Sequence, residues 1–255
     1  MNELQRVRVP VIAGNWKMHK APDEAEAYLR RFTAIVPRRD DRSILFFPPA
    51  VSLTTAVAAT ADRPDIGIGV QNIYWEPAGA FTGEISAPMA KRAGAAFTLI
   101  GHSERRHVFG ETDEDVRRKV LAALDSGLVP VLCVGEKIEE RRAGQADDVI
   151  IRQLQAAVEG LDAARISTIL IAYEPVWAIG TGETATPDDA AAAHGVLRRL
   201  LRERIGDAAD GVPILYGGSV KPGNAASLLA APDVDGLLVG GASLDPDDFA
   251  AIAGA

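Results

Sequence analysis

The chain has 255 residues, of which 47% are hydrophobic, so it can bury a core large enough for one β/α barrel or two smaller domains. Its 27 Lys and Arg residues and 35 Asp and Glu residues give a formal net charge of −8, which argues against sequence-independent binding to nucleic acid. The same charge repels phosphorylated ligands. Any phosphate site must therefore be built locally, from backbone N–H groups, helix N-termini or a placed cation.

Cysteine usage and the longest apolar runs indicate where the protein works. Cys133 is the single cysteine, which allows no internal disulfide and is interpreted as a small buried hydrophobe. Arg6 and Arg8 interrupt the N-terminal segment, so it does not resemble a signal peptide. No stretch approaches the ~18 uncharged apolar residues of a membrane span. We therefore expect a cytoplasmic protein without membrane contact.

Eight short apolar runs rich in Val, Ile and Leu alternate with longer segments of helical spacing. The runs are continuously hydrophobic, which is typical of parallel strands covered by helices on both faces. No Pro/Gly/Ser-rich linker divides the chain, and no dinucleotide-binding fingerprint follows the first run. We therefore predict that residues 1–255 form one α/β domain, a (β/α)8 barrel of eight parallel strands surrounded by helices. The predicted strands span residues 9–13, 44–47, 66–70, 97–100, 129–134, 168–172, 212–216 and 236–239.

Three helices carry clear start signals. Thr112 opens a sequence that resembles a capping box, and an apolar face follows it. Thr186 and Asp245 each stand before a proline and two acidic residues, as expected for N-caps with proline at the first helical position. These signals predict helices that begin directly after residues 112, 186 and 245.

In a β/α barrel the loops that leave the carboxyl ends of the strands build the active site. Polar residues directly after each apolar run are therefore the candidates for chemistry. They are Asn15 and Lys17 after the first run, His102, Ser103 and Glu104 after the fourth, and Glu174 after the sixth.

Glycine clusters follow the last two runs. Gly217, Gly218 and Ser219 come after the seventh run, and Gly240 and Gly241 after the eighth. Such loops let backbone N–H groups approach a ligand closely, and helix N-termini after them favour an anion, so they predict a phosphate site. Alternatively, the glycines only permit tight turns, and Ser219 either adds a hydroxyl donor or caps a helix.

Glu174 is placed at the lip of an apolar core, where a carboxylate costs energy unless it has a use or a partner. Pro175 holds it in an extended conformation. Residues 175–186 then carry Gly180 and Gly182 beside apolar residues, which predicts a mobile flap that excludes water when it closes. A structural salt bridge is the alternative role for Glu174.

Lys17 and His102 become candidates for catalysis together with Glu174, because the three residues follow three strands whose ends would converge at one barrel mouth. The carboxylate can remove a proton beside a carbonyl, the imidazole can polarise or protonate the oxygen, and the lysine can offset the developing charge. This chemistry requires no metal or redox cofactor. The residues therefore predict an isomerase of a small phosphorylated sugar, with Glu174 as general base.

The chain resembles the triosephosphate isomerase family along essentially its whole length. Six segments carry the resemblance in the correct order, which chance would not produce. They are AGNWKMHK at 13–20, GAFTGEIS at 79–86, GHSERRHVFGE at 101–111, AYEPVWAIGTG at 172–182, YGGSV at 216–220 and DVDGLLVGGASL at 233–244.

The resemblance implies the interconversion of dihydroxyacetone phosphate and D-glyceraldehyde 3-phosphate, in glycolysis and gluconeogenesis, without a cofactor. It also implies a homodimer, in which Thr82 and its loop reach towards the other subunit's active site. One departure stands in the flap, where Glu183 replaces the lysine of many relatives. The roles implied are Glu174 as base, His102 as electrophile, Asn15 and Lys17 as holders of the substrate and its enediolate charge, Glu104 as the residue ordering the lysine, and Gly180, Ser219, Gly240 and Gly241 as phosphate donors.

Three other functions remain open from the residues. An isomerase of a four-carbon ketose phosphate would share every residue named. A barrel that binds phosphorylated ligands without turnover is possible because a fold alone does not establish activity. A lysine-based aldolase would need a buried nucleophilic lysine, whereas Lys17 lies in a polar stretch and the sixth run ends in a carboxylate.

Overall fold

The structure, a computed structural model, describes residues 9–178 and 185–255. Within these ranges eight parallel strands are hydrogen-bonded in chain order, and β8 pairs with β1 to close a barrel. The strands are β1 (Val11–Asn15), β2 (Ser43–Phe47), β3 (Ile66–Val70), β4 (Phe97–Ile100), β5 (Val129–Val134), β6 (Leu170–Tyr173), β7 (Ile214–Tyr216) and β8 (Gly236–Val239). The predicted barrel is therefore confirmed.

Helices connect successive strands and surround the barrel. Among the described residues, no helix is long and apolar enough to cross a membrane. The helices are α1 (Pro22–Ile35), α2 (Leu53–Ala59), α3 (Ala87–Arg92), α4 (Ser103–His107), α5 (Asp113–Asp125), α6 (Ile138–Arg142), α7 (Ala146–Ala157), α8 (Ala163–Ile166), α9 (Pro187–Ile205), α10 (Ala225–Leu229) and α11 (Pro246–Ala253).

Boundaries of four strands, β1, β2, β6 and β7, differ from the prediction because main-chain pairing, not hydrophobicity, sets where a strand begins and ends. β1 runs on to Asn15, whose backbone pairs with Phe47 of β2. β6 starts two residues late, because the N–H groups of residues 168 and 169 donate back to the turn of α8. β7 starts late because the Val212 N–H donates to Ala209 and Pro213 has no N–H to offer the ladder.

Two apolar layers bury the strands on both faces, which explains their continuous hydrophobicity. Cys133 is fully buried in the inner layer, as predicted. The inner layer fills the barrel with side chains such as Val11, Ala13, Leu45, Phe47, Leu99, Val131, Leu170, Ala172, Leu215 and Leu238. The outer layer joins the barrel to the helices through side chains such as Ile12, Phe32, Phe46, Val120, Leu154, Ile171, Tyr173, Leu197, Tyr216 and Phe249.

The two-residue period of the strands aims the candidate residues at the barrel mouth. Val11 and Ala13 point into the barrel, and Asn15 is the next member of that row. Leu170 and Ala172 point inward on β6, and Glu174 continues their row one step beyond the strand end. Both polar side chains therefore stand on top of the inner apolar layer.

The predicted helix starts are confirmed. The Thr112 hydroxyl accepts the N–H of Asp115 at 3.1 Å, and the Asp115 carboxylate accepts the N–H of Thr112 at 2.9 Å. Thr186 and Asp189 form the same reciprocal pair at 3.1 and 2.9 Å. The carboxylate of Asp245 accepts two first-turn N–H groups of α11. Each cap satisfies N–H groups that have no partner within the helix.

A buried arginine ties α9 to the base of the last two strands. The guanidinium of Arg198 donates to the carboxylates of Asp233 and Asp235 and to the carbonyl oxygens of Ala209 and Val212. Asp235 also accepts the N–H of Ile214, the first residue of β7, at 2.9 Å. This network therefore connects a helix to the point where β7 and β8 begin.

We expect Arg198→Leu to lower the free energy of unfolding by about 3–5 kcal/mol, because Asp235 stays buried without the guanidinium that neutralises it. Arg202→Leu is the matched control on the same helix. Its pair with Asp210 is exposed, and the loss should stay under about 1 kcal/mol. Denaturant unfolding of both variants measures the difference, and equal losses would contradict a structural role for the buried network.

Candidate active site

A cleft of about 560 Å³ opens at the carboxyl ends of the strands. Most of the predicted site residues line it, although they come from five different strand ends. The lining comes mainly from the loops after β7 and β8 and from residues at or just after the ends of β1, β4 and β6. The predicted residues in the lining are Asn15, Lys17, His102, Glu174, Ser219, Gly240 and Gly241.

The carboxylate of Glu174 is buried and accepts hydrogen bonds from neighbours on the β4 loop. Its Oε1 lies 2.9 Å from Nε2 of His102. Its Oε2 accepts the backbone N–H of Ser103 at 2.9 Å, and the Ser103 hydroxyl donates to Oε1 at 3.3 Å. The side chain thus has partners despite being only 2% exposed.

These contacts decide the charge of Glu174. Burial acts to raise its pKa, but the charge and hydrogen bond of His102 and the Ser103 N–H outweigh burial and lower the pKa below its ordinary value. Glu174 is therefore a carboxylate at neutral pH. An ionised, buried carboxylate can accept a proton once these hydrogen bonds are exchanged for a substrate.

His102 is held between two elements in one defined tautomer. In the neutral ring, Nδ1 accepts the backbone N–H of Glu104 at 3.3 Å, at the start of α4. The proton of the neutral ring therefore lies on Nε2, which faces Glu174 and the cleft. Burial acts to lower the pKa of His102, but the charge of Glu174 and their hydrogen bond raise it above the ordinary value.

Lys17 stands at the cleft on a constrained backbone. Its φ of 51° is in the left-handed region, which is rare for a non-glycine residue. Its N–H donates to Asn15 Oδ1 at 3.0 Å, and its carbonyl accepts from the Gln71 amide at 2.8 Å. The ammonium donates to Glu104 Oε1 at 2.7 Å. The hydrogen bonds to its backbone thus hold Lys17 in this strained conformation, and the bond to Glu104 orients its ammonium group.

The glycine loops form a wall of the cleft directly beside the charged residues. At Gly217 a Cβ would lie 3.0 Å from Cγ of Glu174, so the missing side chain lets the loop pass beside the carboxylate. A 3₁₀ turn starts at Gly241 and brings its first N–H groups to the cleft wall. Ser219 does not cap a helix, because α10 begins later, with Asn224 as its N-cap.

Some predicted residues are not brought into this cleft. Glu104 lines a neighbouring cleft of about 220 Å³ that also contacts Lys17. Thr82 is exposed on the loop between β3 and α3. Gly180 and Glu183 lie outside the described residues, as does the whole of residues 179–184 in the predicted flap. Within residues 9–178 and 185–255, no group of three or more His, Cys, Asp or Glu side chains is arranged to hold a metal ion.

Sequence reasoning missed two supporting residues, Gln71 and Glu136, and gave Ser103 no role. Ser103 was noted only as polar, yet it binds Glu174 directly. Gln71 donates to the carbonyls of Lys17 and Phe47, each at 2.8 Å, and so braces the constrained lysine. Glu136 is fully buried and accepts hydrogen bonds from the Tyr173 hydroxyl at 3.1 Å and from the indole of Trp177 at 2.8 Å. Gln71 directly follows β3 and Glu136 closely follows β5, so attention to every strand end would have found them.

The chain matches a sequence model of the triosephosphate isomerase family over residues 10–255. It is 49% identical to a triosephosphate isomerase of Solibacter usitatus, over 96% of this chain and 99% of the relative. A relative of the same name from Syntrophotalea carbinolica is 50% identical over 95% and 96% of the two chains. The crystal structure of triosephosphate isomerase from Bartonella henselae superposes with a TM-score of 0.86 at 42% identity, covering 96% of this chain and 98% of the other.

We expect His102→Gln to raise the pKa of Glu174, because it removes the imidazole charge that lowers that pKa and leaves the burial that raises it. NMR titration of the carboxyl carbon of Glu174 measures the change. His19→Gln, at an exposed position, is the control and should leave the titration in place. An unchanged Glu174 titration in His102→Gln would show that His102 does not set the charge of Glu174.

Proposed function

The chain belongs to the triosephosphate isomerase family and is an isomerase, and we propose that it interconverts dihydroxyacetone phosphate and D-glyceraldehyde 3-phosphate in this cleft, as a step of glycolysis and gluconeogenesis. One observation carries the proposal. A carboxylate, an imidazole N–H and an ammonium group meet in one cleft beside a glycine-lined wall. This set suits proton transfer beside the carbonyl of a small phosphorylated sugar.

The phosphate binds at the glycine wall. Backbone N–H groups near Gly240 and Gly241 and the hydroxyl of Ser219 can donate to its oxygens, and Gly180 adds a donor from the flap. Short-range donors are needed here, because the net charge of −8 repels an anion at long range. Lys17, whose side chain lies beside Gly240, supplies a positive charge.

Glu174 removes a proton from the carbon next to the carbonyl and returns it to the neighbouring carbon. Before this step its bonds to Ser103 and His102 must be exchanged, because those donors occupy both carboxylate oxygens. The proton moves within the substrate through an enediolate, so no oxidant or reductant is consumed.

His102 serves the substrate oxygens through its Nε2–H. Once Glu174 turns to the substrate, the contact that raises the pKa of His102 is lost, while burial and the donated N–H of Glu104 still disfavour the charged ring. A neutral imidazole can then give its Nε2 proton to one oxygen of the enediolate and take a proton back from the other, so the ring ends as it began. Lys17 and Asn15 hold the substrate and stabilise the enediolate charge, with Glu104 ordering the lysine.

We also infer a homodimer. Large apolar side chains stand exposed on the segments between β1 and α5, with Met18 at 94%. An apolar surface of this kind marks a protein interface. The smaller cleft beside Lys17, which Met18 and Phe109 help to line, can receive Thr82 of the partner subunit on its loop. The exposed side chains are Met18, Val51, Phe81, Met89, Val108 and Phe109.

Other features support the remaining expectations. The buried free thiol of Cys133 needs no oxidising compartment, which supports a cytoplasmic location. Nζ of Lys17 is engaged by the carboxylate of Glu104 at 2.7 Å, which argues against its use as the nucleophile of an aldolase. A four-carbon ketose phosphate remains the alternative substrate, because it would use the same residues.

We expect Glu174→Asp to lower kcat about 10²-fold or more, because the carboxylate is drawn back by one methylene from the carbon it must reach. A coupled assay with dihydroxyacetone phosphate measures the loss. Glu159→Asp makes the same change at an exposed position and should keep normal turnover.

The same assay separates the competing functions. If the unaltered protein turns over neither substrate, it is a phosphate-binding protein and not an enzyme. If its kcat/KM is higher for the four-carbon ketose phosphate, that compound is the substrate. Near-normal turnover in Glu174→Asp would remove Glu174 from its role as base.

We expect Met18→Glu to shift the protein from dimer to monomer at equal concentration, because it places a charge in the apolar interface. Sedimentation velocity measures the assembly. Gln155→Glu adds a similar charge on an exposed part of α7 and should remain dimeric. A monomeric unaltered protein, or a dimeric Met18→Glu variant, would contradict this interface.

A further inference from the structure

The backbone of Glu174 is anchored by the segment that follows β5. The N–H of Glu174 donates to the carbonyl of Val134 at 2.8 Å, and the N–H of Val176 donates to the carbonyl of Glu136 at 3.1 Å. The pairing of β5 with β6 thus continues beyond both strand ends. Gly135 lies between these two hydrogen bonds, directly beside the backbone of Glu174.

Gly135 permits this close approach because it has no side chain. A Cβ at this position would overlap the carbonyl oxygen of Glu174. The same lack of a side chain leaves the Gly135 backbone with more conformational freedom than any other residue would have. Something else must therefore hold this peptide in place if Glu174 is to have one position.

Gln153 of α7 supplies that restraint. Its Oε1 accepts the N–H of Gly135 at 2.8 Å, and its Nε2 donates to the carbonyl of Gly135 at 3.3 Å. The side chain is 4% exposed and is the single polar member of the buried face of α7. A buried amide is costly unless its hydrogen bonds are made, and Gln153 makes both of its bonds to one glycine. The other buried residues of this helix are Val149, Ile150, Leu154 and Ala157.

We propose that Gln153 is a positioning residue for the catalytic base, acting through Gly135. The inference rests on the proposed role of Glu174. Gln153 does not line the cleft, so it reaches the reaction only through the backbone that it holds. The glycine wall that is proposed to bind phosphate comes from the loops after β7 and β8. The hydrogen bonds of Gln153 go to Gly135, which follows β5, and not to those loops. The effect of Gln153 should therefore fall on turnover and spare substrate binding.

The first test replaces the amide with an apolar side chain of similar length, Gln153→Met. We expect kcat to fall about 10-fold or more, because small displacements of a reacting group have large kinetic effects, with KM within about twofold of normal. Leu154→Ala is the matched control, because it perturbs the same buried helix face without touching Gly135. Normal kcat in Gln153→Met, or an equal fall of kcat in Leu154→Ala, would overturn the inference.

The second test, Gln153→Glu, uses pH. A protonated carboxylic acid has one acceptor and one donor and so can make both bonds to Gly135, whereas the ionised form cannot donate to the Gly135 carbonyl. Burial raises the pKa of the introduced acid, so the protonated form persists towards neutral pH. We expect the ratio of its kcat to that of the unaltered protein to be highest at low pH and to fall as pH rises. A ratio that does not change with pH would overturn the inference, even if Gln153→Met fails to fold.

Failure of this inference is distinguishable from failure of the proposed function. If the unaltered protein turns over triose phosphate and Glu174→Asp does not, but both Gln153 variants turn over normally, only the positioning role is lost. If Glu174→Asp is fully active, Glu174 is not the base, and Gln153 then has no base to position.

Discussion

The pairing of β8 with β1 is the interaction on which the rest of the molecule depends. It turns a row of strands into a ring, so loops from opposite ends of the chain become neighbours. A Cβ on Gly240 would lie 3.3 Å from Cε of Lys17, although these residues are far apart in the chain. Closure thus sets the cation of the first loop against the glycine wall of the last. An open sheet would separate them.

Charge inside the mouth is balanced locally. Glu174 is ionised within an apolar surrounding because His102 and Ser103 donate to it, and Lys17 is held by Glu104. Lys17 and Glu174 are each supported by a residue that follows another strand. Gln71 donates to the carbonyl of Lys17, and Gly135 lies against the backbone of Glu174. The polar site is therefore compatible with a stable barrel because its charges are paired and its peptides are bonded.

The sequence predicts the barrel well because its evidence is local. Continuous apolar runs, capping residues such as Thr112 and Thr186, and the order of strands and helices all depend on near neighbours in the chain. Where a boundary depended on pairing with another strand, as at Asn15, the prediction was two residues short. Lys17, His102 and Glu174 could also be predicted as site residues, because each is a polar residue that closely follows an apolar run.

By itself, the sequence determined the fold class, the helix starts and seven of the residues that line the cleft, Asn15, Lys17, His102, Glu174, Ser219, Gly240 and Gly241, because each follows from periodicity or from position at a strand end. Only the tertiary structure decided how those residues are supported. The contact of Glu174 with His102, the brace of Gln71 on Lys17 and the hold of Gln153 on Gly135 join residues distant in the chain. No local pattern encodes such pairs, because closure of the barrel is what brings them within hydrogen-bond distance.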